Sequence, residues 1–258
     1  MRLVETAWDL GFPVYVVNPK EFAYFRRSVN FRVKSDASDA AMLAHYVDQQ
    51  HSRLRTYSPP KPELATAQAL LTYRATLVRA RVAIEESYKT LPPQARAQAG
   101  DSGILALNRQ IADLDAKIQD LVNTEPAYEL LLQIPGIGPK TATALICAFS
   151  RGTFASSDAF VAYAGLDLRI CDSGKHVGQR KLSKRGDRLL RCLMYTAAVS
   201  GVKCPCWKPY HERYKAKGWR PIQSILIVAR KMLRLTWSIM TNLSEFDPKR
   251  LVHLDIKP

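Results

Sequence analysis

The chain has 258 residues, 47% of them apolar, enough for one large domain or two small ones with packed cores, and this excludes global disorder. Its 38 Lys and Arg against 23 Asp and Glu leave a formal charge of +15, which points to a polyanionic partner. Apolar runs such as Ile225–Ala229 fall far short of the roughly 20 residues a bilayer span needs, which excludes a transmembrane helix.

The charge is uneven. Residues 1–125 hold 16 basic and 14 acidic side chains, whereas residues 126–258 hold 22 and 9, so the polyanion is expected on the C-terminal half. The start of the chain lacks a basic stretch followed by an apolar one, and five cysteines show no framework spacing. Both fit a reducing, bacterial cytoplasm and no membrane role.

In chain order, residues 1–11 read as the end of a helix closed by Gly11. Phe12–Asn18 is a short β-rich run stopped by Pro19, expected to be a buried strand of an α/β sheet. A helix is expected over residues 20–27, and Ser35 or Asp36 can cap another that runs on from there. The SPPKP stretch at 58–62 breaks the chain. Two long helical stretches follow. The first, over about 63–90, carries Leu70, Tyr73, Leu77, Ala80 and Ile84; the second carries Ile104, Leu107, Ile111, Leu114, Ile118 and Leu121 at heptad spacing. They predict an antiparallel helical hairpin or an intermolecular coiled coil, serving spacing or dimerisation. Residues 126–258 read as mostly helical with short loops.

Several groups of residues can carry chemistry. Leu132-Gln-Ile-Pro-Gly-Ile-Gly-Pro-Lys-Thr-Ala142 has the pattern of a helix-hairpin-helix: Gly136 and Gly138 permit a tight turn, the next helix start can hold a phosphate oxygen, and Lys140 adds charge. The alternative is a merely structural hairpin. Asp36 and Asp39, three apart, share a helix face and can hold Mg²⁺; otherwise one caps the helix and the other is solvated. Arg169–Arg191 holds eight basic residues among two acidic ones, with Ser173-Gly174 inside it. Ser173 can attack a phosphodiester there, with Lys175, Arg180, Lys181, Lys184, Arg185 and Arg188 against the phosphates. The competing reading is a solvated basic loop without chemistry. Lys231–Arg234 reads as an amphipathic basic helix, with Trp219 and Trp237 either stacking on bases or lying in the core. Cys204-Pro-Cys206 with His211 lacks tetrahedral zinc spacing, and free thiols are expected.

Taken in order, Val16-Val-Asn-Pro19, Lys34-Ser-Asp-Ala-Ser-Asp-Ala40, Ile134–Pro139, Tyr163-Ala-Gly-Leu166, Asp172-Ser-Gly174, Leu182–Arg188 and Ala229-Arg-Lys-Met232 resemble the DEDD-type insertion-sequence transposases of the IS110/IS116/IS902 kind, a family that includes pilin-inversion recombinases. The resemblance implies a RuvC-like (RNase H-like) α/β domain remnant over 1–57, a coiled-coil region over 58–125 and a helical transposase domain with a helix-hairpin-helix over 126–258. It implies that Asp36 and Asp39 are the last two of four acidic Mg²⁺ ligands and that Ser173 is the nucleophile of DNA strand exchange. It further implies a homo-oligomer, dimer or tetramer, whose composite site joins one subunit's carboxylates to another's serine, and for some relatives a structured guide RNA. Two departures accompany it. Asp172 stands where relatives often carry serine, and Met1 falls inside the first domain, so that the strands bearing the first two acids are expected to be missing and the activity impaired. The alternatives are an inactive DNA-binding or dimerisation remnant that regulates a full-length copy, and a junction-resolving nuclease using water in place of serine.

Overall fold

The computed structural model describes residues 2–29, 35–52, 54, 56–169, 180–248 and 251. The chain is mostly helical and divides into two compact units, Met1–Pro59 and Pro60–Pro258.

In the first unit, helix α1 (Arg2–Asp9) ends where Gly11 turns left-handed (φ 79°). There the Gly11 N–H donates to the Trp8 carbonyl at 2.8 Å and the Phe12 N–H to that of Ala7 at 3.0 Å. A glycine adopts this conformation without a Cβ penalty. The run Phe12–Asn18 is not the buried strand its composition predicts. Among the described residues its pairing is an antiparallel bridge between Tyr15 and Thr56 and a Tyr57 N–H donated to the Val14 carbonyl at 2.6 Å. Phe12 and Val16 are 61% and 66% exposed. An apolar run becomes a strand only where neighbours supply a ladder, and among the described residues of this unit the stretch around Thr56 alone does so. Asn18 then caps α2 (Pro19–Ser28) by accepting from the Lys20 N–H at 2.9 Å, with Pro19 in the first turn where no donor is needed. Helix α3 (Asp36–Gln50) is capped by Ser35, in a reciprocal box with Ser38. Helices α2 and α3 pack through edge-to-face rings, Phe25 on Tyr46 at 4.9 Å and Phe22 on Tyr46 at 6.0 Å.

The second unit begins with α4 (Pro62–Thr90), short α5 (Pro93–Ala99) and α6 (Ser102–Val122). Helices α4 and α6 lie antiparallel: Lys61 meets Glu125, Arg74 meets Asp115, and Arg81 meets Asn108. On α6 the apolar seam buries Ile111, Leu114 and Ile118. On α4 the buried stripe starts at Leu64, Ala67 and Leu71, while the expected stripe leaves Tyr73 and Ile84 48% and 45% exposed. Continued at heptad spacing, the observed seam places Arg74 and Arg81 against α6, where Asp115 and Asn108 satisfy them.

Behind this pair, α7 (Ala127–Leu132), α8 (Pro139–Phe149), α9 (Ser157–Tyr163), α10 (Arg188–Gly201), α11 (Lys208–Ala216) and α12 (Pro221–Asn242) enclose one apolar core. Its largest fully buried side chains include Trp207, Tyr128, Phe160, Met194 and Met232. Between α9 and α10 a two-stranded antiparallel sheet pairs β1 (Leu168–Arg169) with β2 (Lys181–Leu182), Leu168 opposite Leu182. No helix among the described residues is long and apolar enough to cross a membrane.

Candidate nucleic-acid interface

The turn between α7 and α8 is built on glycine for internal reasons. Gly136 has φ 100°, and a Cβ there would lie 2.3 Å from the Ala197 carbonyl oxygen and 2.9 Å from the Gly201 backbone of α10. Ile134 and Ile137 are buried on either side. Half-buried Gly138 caps α8 in an extended conformation, and a Cβ there would meet nothing within 4 Å beyond its chain neighbours. Lys140, in the first turn of α8, points at α6: its ammonium lies 3.5 Å from Asp115 Oδ2, and Asp115 also holds the Arg74 guanidinium. Asp115 thus holds two cations beside this turn.

The β1–β2 hairpin joins two of the sequence motifs. The Ser183 N–H donates to the Asp167 carbonyl at 2.9 Å, the Lys184 N–H to that of Gly165 at 3.2 Å and the Asp187 N–H to that of Tyr163 at 3.1 Å. Side chains reinforce the seam: the Ser183 hydroxyl donates to the Asp167 carboxylate, and the Arg191 guanidinium to the Ala164 carbonyl at 3.2 Å. Asp187 caps α10 by accepting from the Leu189 and Leu190 N–H groups. Lys184 sits in the left-handed region at φ 53°, an uncommon conformation for a residue with a side chain. Around this seam Arg180, Lys181, Lys184, Arg185 and Arg188 are exposed. Ser173 and Lys175, in the connection between the two strands, lie outside the described residues, as do Asp172 and Gly174.

Asp36 and Asp39 occupy the first turn of α3. Neither caps the helix, because Ser35 does. Asp36 is exposed, whereas Asp39 Oδ1 lies 2.8 Å from the Arg26 guanidinium of α2. That pair is close in charge but poorly aligned, for the same oxygen is buried without a hydrogen bond of good geometry. Among the described residues no three His, Cys, Asp or Glu side chains converge. Two carboxylates from one helical turn still suit Mg²⁺, which takes one or two protein carboxylates and fills its shell with water and phosphate oxygens. Arg26 is then the group that has to give way.

The C-terminal helices bring in residues that the sequence pattern hides. On α12, Lys231 is buried with its ammonium 4.1 Å from the Tyr210 ring centre, so it is core rather than an outward phosphate contact. Arg234 pairs with Asp158 of α9 through Nε and Nη2, each 2.8 Å from Oδ1. Arg230 is half-buried, and burial is the main cause pulling its pKa below the ordinary value, with Arg234 adding to it. Trp237 packs against the core, whereas Trp219 is 45% exposed and meets Tyr214 edge-on at 5.8 Å. The alternation of basic and apolar residues marks α12 as amphipathic, but only the packing tells which cations face inward. Cys204 and Cys206 Sγ lie 3.6 Å apart without a disulfide, and burial pushes the Cys206 thiol up to about 12. His211 Nδ1 faces the buried Ser224 hydroxyl at 2.8 Å instead of joining them.

Comparison with known proteins gives these motifs a common origin. Residues 1–91 match the DEDD transposase family model of the IS110 type, and residues 128–215 match the model described as the transposase IS116/IS110/IS902 family. The chain is 28% identical over 256 residues to the pilin gene-inverting protein of Moraxella bovis, covering 96% of this chain and 79% of that protein. It is 26% identical over 279 residues to a probable family 20 transposase of Pseudomonas aeruginosa, covering 93% of this chain and 80% of that protein. A 148-residue stretch is 31% identical to the insertion element IS900 uncharacterized 42 kDa protein of Mycobacterium paratuberculosis, covering 56% of this chain and 37% of that protein. With matched segments at both ends of the chain and relatives along nearly its whole length, the protein belongs to the IS116/IS110/IS902 family of transposases.

Proposed function

We propose that this chain exchanges DNA strands by serine chemistry, with Ser173 as the nucleophile. Transposition and site-specific recombination are the work of the family and its relatives, and DNA is the partner that work implies. The observation that carries the finer reading is the hairpin. The glycine-tight seam between residues 163–169 and 181–187 is a rigid base, and the connection it anchors holds Ser173 in sequence between Arg169 and a run of exposed cations from Arg180 to Arg188. In this reading the Ser173 hydroxyl oxygen attacks the phosphorus of a phosphodiester. One P–O bond forms as the P–O bond to the leaving strand breaks, and the serine proton ends on the departing hydroxyl. Attack by another strand's hydroxyl reverses the step and frees the serine. The number of phosphoester bonds is conserved, so no energy source is needed. Arg180, Lys181, Lys184, Arg185 and Arg188, with Lys175, hold the phosphate backbone and oppose the charge that builds on the phosphoryl oxygens.

Transposases of the DEDD type usually depend on a metal. Asp36 and Asp39 would hold the ion, Mg²⁺ by its preference for carboxylate oxygen, and bound there it would polarise a phosphate. In the same reading residues 1–57 belong to a RuvC-like fold, 58–125 form a coiled-coil arm, and the α7–α8 turn is a helix-hairpin-helix that grips the backbone through N–H groups at the start of α8, with Gly136 and Gly138 shaping the turn and Lys140 adding charge. The protein works as a dimer or tetramer in the bacterial cytoplasm, and a structured RNA from the element is a second polyanion the basic half can accept.

The test is incubation of the purified chain with DNA bearing its element's ends, Mg²⁺ and the flanking transcript, followed by a denaturing gel. A protein–DNA adduct that disappears with Ser173→Ala is the expected result. DNA binding without an adduct would instead make the chain an inactive DNA-binding protein that regulates an active transposase, a reading favoured by the pairing of Asp39 with Arg26.

A further inference from the structure

Helix α12 is buried along most of its circumference. Val228, Ala229, Lys231, Met232, Leu233, Leu235 and Thr236 all lie in the core. Between them Arg230, Arg234 and Trp237 stay partly open, at spacings of four and three that put them on one stripe of the helix. This stripe is rich in donors and short of acceptors. Arg230 Nε and Trp237 Nε1 are buried donors with no hydrogen-bond partner. The carboxylates that Arg230 feels, Asp158 and Asp167, are already engaged, the first by Arg234 and the second by the Ser183 hydroxyl. An arginine cannot shed its proton to escape burial, so the cost of a part-buried guanidinium that also feels the charge of Arg234 stays in the protein until an anion arrives. Arg234 is held in place by its fork on Asp158, with its side chain only 12% exposed while that of Asp158 is 71% exposed. Arg230 keeps part of its side chain open beside an Arg234 that Asp158 holds in place, and its unmatched Nε and the Trp237 Nε1 lie just beneath that opening, which makes the stripe a receptor for an oxyanion.

We propose that Arg230 and Arg234, with Trp237, form a second phosphate-binding site, which takes a backbone phosphate of the nucleic acid on the α12 face turned toward α9. The proposal rests on DNA being the polyanion of the proposed function, but it does not depend on the serine chemistry. The site lies apart in sequence from the basic run at 180–188 and engages the phosphate by a guanidinium fork. An arginine fork fits two phosphate oxygens at once, which a lysine ammonium does not.

Binding of a fluorescent duplex carrying the element's end, and of its single strand, is measured with the full chain across a salt series. Arg230→Gln is expected to weaken binding about tenfold or more and to lower the slope of log affinity against log salt by about 1. Arg230→Lys should recover the salt slope but not the full affinity. In a scan of single methylphosphonate substitutions along the oligonucleotide, one position should weaken binding by the wild type and have no effect on Arg230→Gln. Thermal unfolding separates a binding role from a structural one. Arg230→Met removes a buried, uncompensated charge, and its Tm should equal or exceed that of the wild type. A fall of several degrees, an unchanged affinity for Arg230→Gln, or no DNA binding by the wild type overturns the site. If Arg230→Met is stable, DNA binding is unchanged and self-association weakens, the anion is a carboxylate of a second copy, and the nucleic-acid assignment is wrong. An intact Arg230 effect alongside a missing Ser173 adduct would leave this site standing while the serine mechanism falls.

Discussion

Gly165 and Gly186 meet backbone to backbone: a Cβ on Gly186 would lie 2.4 Å from the Gly165 amide nitrogen and 2.1 Å from the Tyr163 carbonyl oxygen. Gly165 is itself left-handed at φ 68°, with Arg191 Nη1 2.5 Å from where its own Cβ would be. The two motifs that flank Ser173 in sequence are therefore locked to each other by the absence of side chains. The base of the hairpin is rigid even though β1 and β2 are only two residues long.

The first prediction concerns that lock. Gly186→Ala forces backbone against backbone, with no flexible side chain to yield, and should cost about 3 kcal/mol or more. In a unit of this size that lowers Tm by roughly 6–12 °C, readable by calorimetry. Gly138→Ala is the contrast. With nothing within 4 Å and an ordinary φ of −104°, it should leave Tm nearly unchanged. Any loss of DNA binding in that variant then reports on the α7–α8 turn itself. Equal destabilisation by both substitutions would show that the seam is looser than its geometry implies.

Asp115 restrains two cations, Arg74 on α4 and Lys140 at the start of α8. Asp115→Asn should cost about 1–2 kcal/mol, because a part-buried arginine loses its carboxylate. If Lys140 is a phosphate contact, the same substitution sets its ammonium free, and DNA affinity should rise while stability falls. The slope of log affinity against log salt should steepen by about 1. A parallel fall in both properties would assign Lys140 to the helix pair alone.

How far the sequence leads depends on what a residue type implies locally. Helix starts were legible because Pro19, Pro62, Pro93, Pro139 and Pro221 all sit in first turns, and because Ser35 and Gly11 do chemistry only a cap or a left-handed turn requires. The α6 seam was legible for the same reason: apolar residues at heptad spacing have one place to go. The α4 seam was not, because Arg74 and Arg81 occupy seam positions and a count of apolar residues steps over them to Tyr73 and Ala80. Phe12–Asn18 has strand composition, but pairing is a property of its neighbours. Arg230 lies within the Ala229-Arg-Lys-Met232 stretch, but nothing in its flanking residues distinguishes a half-buried guanidinium from the buried ammonium of Lys231 next to it.

Arg26 and Asp39 give a metal prediction independent of catalysis. Arg26→Gln removes the cation beside the carboxylate, so Mn²⁺ used as a Mg²⁺ substitute should bind several-fold more tightly in titration calorimetry or electron paramagnetic resonance. The cost in stability should stay below about 1 kcal/mol, since both side chains retain some exposure. Asp36→Asn should weaken the same binding. Mn²⁺ affinity that ignores both substitutions would remove this pair from consideration as a cation site.

Cys147 ties α8 to α4, its thiol donating to the Leu64 carbonyl at 3.4 Å, and it is 2% exposed. Burial pushes its pKa from 9.0 up to about 11. The folded protein therefore keeps a proton that the unfolded chain releases first. The stability this represents is fully present below pH 9.0 and drains away as the pH climbs to about 11, on the order of 2 kcal/mol over that window. Tyr128 and Tyr163, also raised by burial, lose their protons in alkaline solution as well, so the clean measurement is a difference. Urea unfolding of the wild type and of Cys147→Ala, at pH 8 and pH 10.5, should show the gap between them narrowing at the higher pH. In the native protein a maleimide should modify exposed Cys192 and leave Cys147 untouched until urea is added. Rapid labelling of Cys147 without denaturant would mean that α4 and α8 separate readily, and the alkaline loss would then have another source.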